Sequence, residues 1–318
     1  MWGEHTMRAI EYNTFGGPEV LRLVDAPVPA PAHGQVRMAV KVAAVNGVDW
    51  KIREGQLGQQ PMPQRPGVEL AGVVDAVGPD ASVAVGDEVF GWAAAGATNV
   101  QGWDGGFPTG SYADFALAEV VIPKPADLAW TEAAALPVAG ETALRGLRRI
   151  GVRAGEVVLI HGGSGVVGSI AVQLAVARGA FVIATTGDSN ADYVASLGAT
   201  PVRYGDNLVQ TVRDISPHVD AALDAAGLGG LADLVTLCGG TERVVSLADP
   251  AAFDLNVPFD PGGPKDHNTA VLTELAELAV TGALSIRHSR SFPLAEAAAA
   301  QAFSATGHAG GKITLDVN

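Results

Sequence analysis

The stretch "VVLIHGGSGVVGSIAVQLA", Val157 to Ala175, decides the fold. It opens with apolar, β-favouring residues, passes through a burst of glycine, and continues with apolar residues at helical spacing. Gly163, Gly165 and Gly168 fit the pattern G-x-G-x-x-G. In a chain with 40 glycines that match says little by itself. The strand before it and the helix after it supply the context in which the pattern grips a dinucleotide. Glycine permits the tight turn, the approach of pyrophosphate to backbone, and close packing of helix on strand. The helix N-terminus adds free N–H groups and the positive end of its dipole. The phosphate-contacting set is then Gly163, Ser164, Gly165, Val166, Val167 and Gly168. The competing reading is a glycine-rich corner that holds no ligand.

Outward from this stretch the pattern repeats. "FVIATT" leads to "ADYVASLGA", "PVRY" to "NLVQTVRDI", and "VDAALDAAG" to "LADLVTLC". Such alternation predicts an α/β fold with a doubly wound parallel sheet covered on both faces. On the N-terminal side, "EAAALP" with Thr131 as cap and "GETALRGLRRIG" read as helices. Before them, residues 7–123 read as short strands bounded by Gly, Pro and Asp, which predicts a barrel-like β domain. At the C-terminal end, "HNTAVLTELAELAVTG" and "PLAEAAAAQAFSATG" read as helices, and "ALSIRHSRSF" and "GKITLDV" as strands. These last elements are expected to return to the first domain. The expected division is 1–126 plus 256–318 against 127–255.

Composition narrows the function. The formal net charge is −14, with no run of Lys or Arg, which speaks against nucleic acid as a partner. One cysteine, Cys238, excludes an internal disulfide and any multi-cysteine zinc or iron–sulfur site. A reducing cytoplasm fits that usage. "MWGEHTMRAI" lacks a basic segment followed by an apolar core, so no secretory signal is expected. No apolar stretch approaches the ~20 residues that span a bilayer, so no membrane association is expected.

The ribose end of the nucleotide is read at "FVIATTGDSN". A site for NADH usually places an acid at the end of this strand. Here the terminal residue is Thr186, and Asp188 lies two residues beyond. Thr185, Thr186 and Ser189 offer hydroxyls that suit a 2′-phosphate. No Lys or Arg lies between Arg178 and Arg203, so Arg203, just before Tyr204, is the nearest source of positive charge. The balance favours NADPH over NADH, with Asp188 arguing the other way.

With these residues in place, the chain resembles the medium-chain dehydrogenase/reductase superfamily. Within it, the likeness is to the zinc-independent NADPH:quinone oxidoreductase and enoyl-reductase branch. The matching pieces are "AAVNGVDWKIREG", "RPGVELAGVV", "GDEVFGW", "GSYADFALAE", "AAALPVAGETAL", "VVLIHGGSGVVG" and "GHAGGKITL", in that order from Met7 onward. The resemblance implies a GroES-like, partly open β-barrel domain on the substrate side. It implies a Rossmann domain spliced in before the C-terminal segment, and an active site in the cleft between them. It further implies hydride transfer from nicotinamide C4 to an electrophilic acceptor, and a homodimer. Zinc-dependent relatives carry a catalytic Cys where this chain has Asn46, and a zinc-binding His where "PGVE" has Val68. Their structural zinc lobe needs four Cys, and the segment from Gly91 to Gly110 has none. Without these ligands no metal is expected.

The resemblance also assigns candidate residues. Asn46 matches the family's Asn facing nicotinamide and substrate, and its amide can donate to an oxyanion. Asp49 either orients Asn46 or caps the "WKIREG" turn, with capping favoured. Some relatives carry a Tyr just after this position; here Trp50 and Lys51 stand instead, with Trp50 as a pocket wall and Lys51 a solvated charge rather than a proton donor. Glu69 is expected to partner backbone or a neighbouring Arg. Tyr112 is a pocket candidate or a plain strand residue. Thr142 matches a family Thr near the nicotinamide, while its neighbour Glu141 replaces an apolar residue without apparent reason. Tyr204 matches a Tyr at the adenine side, and Ser246, Leu247 and Ala248 offer backbone to the nicotinamide. Trp92, Trp103 and Phe107 are pocket aromatics or loop packing. The implied activity is NADPH-dependent reduction of a quinone or an α,β-unsaturated carbonyl. The alternatives are a dedicated enoyl or ketone reductase of one biosynthetic intermediate, and an NADPH-binding protein without redox turnover.

Overall fold

The computed structural model describes residues 6–58, 62–94, 110–227 and 229–317. Along the chain run β1 (Thr6–Glu11), β2 (Arg22–Pro27), β3 (Val36–Val45), α1 (Gly47–Arg53), β4 (Glu69–Val77), β5 (Glu88–Ala93), β6 (Phe115–Pro123) and α2 (Trp130–Arg149). There follow β7 (Val157–His161), α3 (Val166–Ala177), β8 (Phe181–Thr186), α4 (Ala191–Ser196), β9 (Thr200–Arg203), α5 (Leu208–Ile215), β10 (Ala221–Asp224), α6 (Leu231–Cys238), β11 (Val244–Ser246) and α7 (Ala251–Asp254). The chain closes with α8 (Thr269–Val280), β12 (His288–Pro293), α9 (Ala297–Ala305) and β13 (Lys312–Asp316). Two compact units result: residues 1–138, 263–280 and 287–318 in the first, and residues 139–262 and 281–286 in the second. The divisions lie downstream of the 126/127 and 255/256 limits read from the sequence. Among the described residues, no helix is long and apolar enough to cross a membrane.

In the first unit, β3, β4, β5 and β6 pair antiparallel in sequence order, and β3 pairs again with β6. The ring so closed is the barrel. β3 is long enough to do two jobs: Val36–Ala39 face β6, while Val42–Val45 face β13. The switch falls near a register shift between Val40 and Val42. Opposite it a Cβ on Gly72 would sit 2.3 Å from the Ala39 carbonyl oxygen, so the close approach needs glycine. β13 and β12 extend the sheet. The barrel core holds Met38, Val40, Leu70, Val89, Ile313 and Leu315. Phe292, Leu294 and Ala297 join the same core, so burial of apolar surface brings the C-terminal segment back to this unit.

In the second unit, five parallel strands lie in the order β11-β10-β7-β8-β9. β7 comes first in the chain and sits at the centre. The chain winds outward through β8 and β9, then returns to the other side of β7 with β10 and β11. The reversal between β7 and β10 is a topological switch point, and ligands of such sheets bind outside the strand C-termini there. One face is covered by α5 and α6 through Leu159, Ile183, Val212, Leu234 and Val244.

Three local readings differ from the sequence. α2 is one helix through Pro137 rather than two. Thr131 lies inside it, and the first turn is tied instead by Glu132, whose Oε2 accepts from the Ala129 N–H at 3.1 Å. Proline removes one helical donor, but the break is absorbed because Val138 N–H finds a carboxylate outside the helix. Only the second half of "ALSIRHSRSF" forms a strand. The first half is held by Gln173, which receives Ser285 N–H and donates to Ser285 O, both at 2.9 Å.

Candidate active site

Asn46 directly follows β3 and is the N-cap of α1. Its partners come from two distant strands, β4 and β13, and from α1. Because Ile313 faces Val45 in the β13–β3 register, Lys312 falls opposite Asn46. Lys312 Nζ donates to Asn46 Oδ1 at 2.6 Å and to Glu69 Oε1 at 2.5 Å. Asn46 Nδ2 donates to the same Glu69 Oε1 at 2.7 Å. Glu69 Oε2 takes Val138 N–H at 2.7 Å. Side-chain exposure is 2% for Lys312 and 0% for Glu69, so the pair is dry. Such a pair holds only with supporting hydrogen bonds, and here Asn46 bonds both partners while Val138 N–H donates to the second carboxylate oxygen. Glu69 therefore does partner backbone, and its charged partner is a lysine from the far end of the chain.

Asp49 closes α1 as a capping box would. Its Oδ2 accepts Asn46 N–H at 2.7 Å and the Tyr112 hydroxyl at 3.0 Å. Both roles weighed for Asp49 thus meet in one carboxyl group. Its Oδ1 is buried and has no partner among the described residues. This desolvation pushes the Asp49 pKa up to about 7, with Glu69 adding to the rise. The Asn46 and Tyr112 hydrogen bonds and Lys312 pull the other way. Burial and Asp49 together push the Tyr112 hydroxyl well above its ordinary range. Tyr112 is fully buried, and its hydroxyl reaches Asp49 rather than Asn46. Trp50 is half-buried with Lys51 Nζ 5.7 Å from its ring centre. Trp92, buried, stacks on His267 at 4.3 Å. Trp103 and Phe107 lie outside the described residues.

In the second unit the glycine turn stands at the C-terminal end of β7. Gly165 is the N-cap of α3, without a side-chain cap and with no acid in the first turn. The N–H groups of Val166, Val167 and Gly168 therefore carry an unmasked positive dipole end. A Cβ on Gly163 would meet Ala184 Cβ at 2.6 Å, and one on Gly168 would meet Gly162 O at 2.1 Å. Gly163 and Gly168 are packing glycines. Gly165 is different, since its Cβ would touch only Gly162 O, at 3.3 Å. It leaves open space beside the α3 N-terminus.

Around this turn the strand ends are tied together. Thr185 is buried, and its hydroxyl accepts Gly162 N–H at 2.9 Å and meets His161 Nδ1 at 2.8 Å. Thr186 is buried too, and its hydroxyl donates to Gly187 O at 3.3 Å. Ser189, Arg203 and Tyr204 are exposed, with Arg203 paired to Asp188. A Cβ on Gly187 would lie 3.6 Å from the Tyr204 hydroxyl, so Tyr204 borders that turn. Thr142 is half-buried on α2.

Asp224, at the end of β10, was not singled out in the sequence. Its Oδ1 accepts from Ala226 and Gly227 N–H, at 3.0 and 3.1 Å, and its Oδ2 from the Ser246 hydroxyl at 2.7 Å. Ser246 in turn accepts Asp249 N–H at 2.9 Å. Asp224 therefore shapes the stretch that contains Ser246, Leu247 and Ala248. Glu141 also finds its reason: its Oε1 takes Arg145 Nε at 2.7 Å, and Arg145 holds the Asp260 carbonyl at 2.7 Å. The signals for these residues were a lone acid ending an apolar run in "AALDAAG" and a lone lysine opening the strand "KITLD".

Known proteins agree with this construction. The Alcohol dehydrogenase GroES-like domain family matches residues 32–126, and the Zinc-binding dehydrogenase family matches residues 191–315. Quinone oxidoreductase of Mus musculus is 34% identical over 267 residues, covering 80% of this chain and 77% of that protein. The chloroplastic NADPH-dependent alkenal/one oxidoreductase of Arabidopsis thaliana is 32% identical over 324 residues, 97% of this chain and 79% of that one. The solved structure of quinone oxidoreductase from Coxiella burnetii superposes with a TM-score of 0.85 at 32% identity, covering 99% of this chain and 100% of that one. This protein is thus an oxidoreductase, an α/β enzyme with a GroES-like unit and a Rossmann-type unit. It belongs to the medium-chain dehydrogenase/reductase superfamily, in the quinone oxidoreductase branch.

Proposed function

We propose that this protein is a zinc-independent, NADPH-dependent reductase of quinones or α,β-unsaturated carbonyls. The observation that carries the reading is the Asn46 amide, which gives one Nδ2 hydrogen to Glu69 and keeps the other. Among the described residues no acceptor takes that second hydrogen. It is a preorganised donor for an oxygen that gains negative charge. The relatives' names supply the acceptor class, quinone in mouse and alkenal or alkenone with NADPH in Arabidopsis.

The residues fit the nucleotide. The uncapped α3 N-terminus, with Gly163, Ser164, Gly165, Val166, Val167 and Gly168, binds its diphosphate. Thr185 and Thr186 shape the strand end, and Ser189, Arg203 and Tyr204 take the adenosine side. Thr142, Ser246, Leu247 and Ala248 take the nicotinamide side. When bound, NADPH supplies a hydride from nicotinamide C4. Asn46 Nδ2–H donates to the acceptor oxygen, and Asp49 fixes the Asn46 backbone. Trp50 walls the acceptor, backed by Trp92 and Tyr112. The proton that completes the reduction comes from solvent.

Zinc does not fit the Asn46 surroundings. Val68 has no lone pair to give, and Glu69 Oε1 is already spent on Lys312. A dication beside that ammonium would meet repulsion in a dry site. The reading also takes the protein as a cytoplasmic homodimer. Cys238 has no second cysteine to pair with, and Phe253, 68% exposed, is an apolar side chain that a second copy would cover.

The test is purified protein mixed with NADPH and a panel of quinones and enones, following loss of nicotinamide absorbance. Turnover across the panel supports the reading. Response to a single acceptor would favour a dedicated reductase. Tight NADPH binding without consumption would show a nucleotide-binding protein and overturn the reductase.

A further inference from the structure

We propose that Lys312 is the positioning residue of this site: its ammonium fixes which end of the Asn46 amide faces the acceptor. For its kinetic consequence this inference rests on the reductase reading above; for its structural consequence it does not.

A side-chain amide is nearly symmetric in shape, and only its partners decide which end is oxygen. Lys312 can only donate, and the Glu69 carboxylate can only accept. Asn46 lies between them, Oδ1 on Nζ at 2.6 Å and Nδ2 on Oε1 at 2.7 Å. Turned over, the amide would press N–H against ammonium and carbonyl against carboxylate. Both contacts are repulsive and act in a buried site where charge is weakly screened. Water cannot mediate a compromise, because Lys312 and Glu69 are buried. The amide is therefore held in one sense, and the N–H left over is the group presented outward.

The clamp itself is rigid. Glu69 cannot swing, since its second oxygen holds Val138 N–H at 2.7 Å. Lys312 cannot withdraw, since the β13–β3 register sets it beside Asn46. The ammonium has a second effect. It balances Glu69, whose charge would otherwise oppose negative charge growing on the acceptor oxygen. Lys312 is too deep to touch the acceptor, so it acts through Asn46.

The experiment uses the full chain labelled with 15N on asparagine side chains only, with the Asn46 signals assigned by Asn46→Ala. Lys312→Met alone strands a buried carboxylate and risks failing to fold. The informative variant is therefore Lys312→Met with Glu69→Gln, which leaves no buried charge. A Gln at 69 can pair with Asn46 in either sense, so the single pair of Asn46 proton signals should split or broaden. Glu69→Gln alone keeps the Lys312 donor and should keep the single pair. In kinetics the double variant should lose kcat only by the fraction of turned-over amide, about twofold when both senses are equally populated, with NADPH Kd unchanged. Adding Asn46→Ala to it removes the donor in both senses and should cost a further loss on the scale of one oxyanion donor, about 10²-fold. A single unshifted Asn46 pair in the double variant would overturn the proposal. If the native protein consumes no NADPH with any acceptor while the amide signals behave as expected, the reductase reading falls and the clamp stands. If turnover is normal and the signals never move, the clamp falls and the reading stands.

Discussion

Arg203 and Asp188 form an ion pair on the second unit, Nη1 to Oδ2 at 3.1 Å, with side-chain exposures of 75% and 74%. The two residues that argued for opposite cofactors thus hold each other. An exposed pair of this kind is worth only ~0.2–1 kcal/mol, whereas a charge-assisted bond to phosphate is worth about 1.5–3. A 2′-phosphate should therefore take Arg203 from Asp188. Arg203→Ala should weaken NADPH binding by about 10- to 100-fold and NADH by under about twofold. Asp188→Asn should strengthen NADPH a few-fold. Calorimetric titration of both nucleotides checks this, and equal losses for the two would remove Arg203 from the phosphate.

The three motif glycines should separate into two kinds. Gly168→Ala drives a Cβ to 2.1 Å from a backbone oxygen that cannot move aside cheaply, so it should lower Tm by several degrees. Gly165→Ala meets only one atom, at 3.3 Å, and should leave Tm nearly unchanged. It should nonetheless weaken nucleotide binding by about 10-fold or more, because its methyl group enters the space beside the α3 N-terminus. Thermal melts paired with NADPH titrations test the split. A Gly165→Ala protein that binds normally would mean the phosphate lies elsewhere.

This division was only half legible in the sequence. The strand, glycine turn and helix from Val157 to Ala177 are local, so their spacing reveals them. The Asn46 site is not local. Lys312 reaches Asn46 across 266 positions through strand register, which composition and periodicity do not encode. Glu69 is read from the sequence as a partner of backbone or of a neighbouring Arg; it does accept the Val138 N–H, but its cation is Lys312. Glu141 looked misplaced because Asp260, which completes its chain of contacts through Arg145, lies 115 positions beyond that arginine. Pro137 read as a helix end because the sequence could not show a carboxylate waiting for the Val138 N–H.

Asp49 should make stability depend on pH. Its pKa is raised to about 7 in the fold by burial, against 3.8 when free. Between those values the folded protein keeps a proton that the unfolded chain releases, so this group's contribution falls as pH rises. It is most favourable below the free value and fully lost above about pH 7. A tenfold change in proton affinity corresponds to about 1.4 kcal/mol. Asp49→Asn keeps the shape and an acceptor for Asn46 N–H but has nothing to ionise. Urea denaturation from pH 4.5 to 8 should therefore show the native protein losing stability relative to Asp49→Asn by roughly a few kcal/mol. A difference that stays constant across this range would mean that Asp49 is charged throughout.

Ser246→Ala should destabilise through Asp224 rather than through the serine itself. The hydroxyl is the donor to buried Asp224 Oδ2 at 2.7 Å and the acceptor for Asp249 N–H at 2.9 Å. Removing it leaves a buried carboxylate oxygen short of a donor, at a cost of about 1–3 kcal/mol. Asp224→Asn removes the charge while its Oδ1 can still accept from Ala226 and Gly227 N–H. The double variant Ser246→Ala/Asp224→Asn should therefore be more stable than Ser246→Ala alone, a coupling that two independent losses would not produce. NADPH affinity should fall alike in both variants that lack the Ser246 hydroxyl, because that hydroxyl orders the backbone at Ala248 and Asp249. Denaturation midpoints of the wild type and the three variants decide it. Strictly additive losses would show that Ser246 acts on the loop alone and that Asp224 does not depend on it.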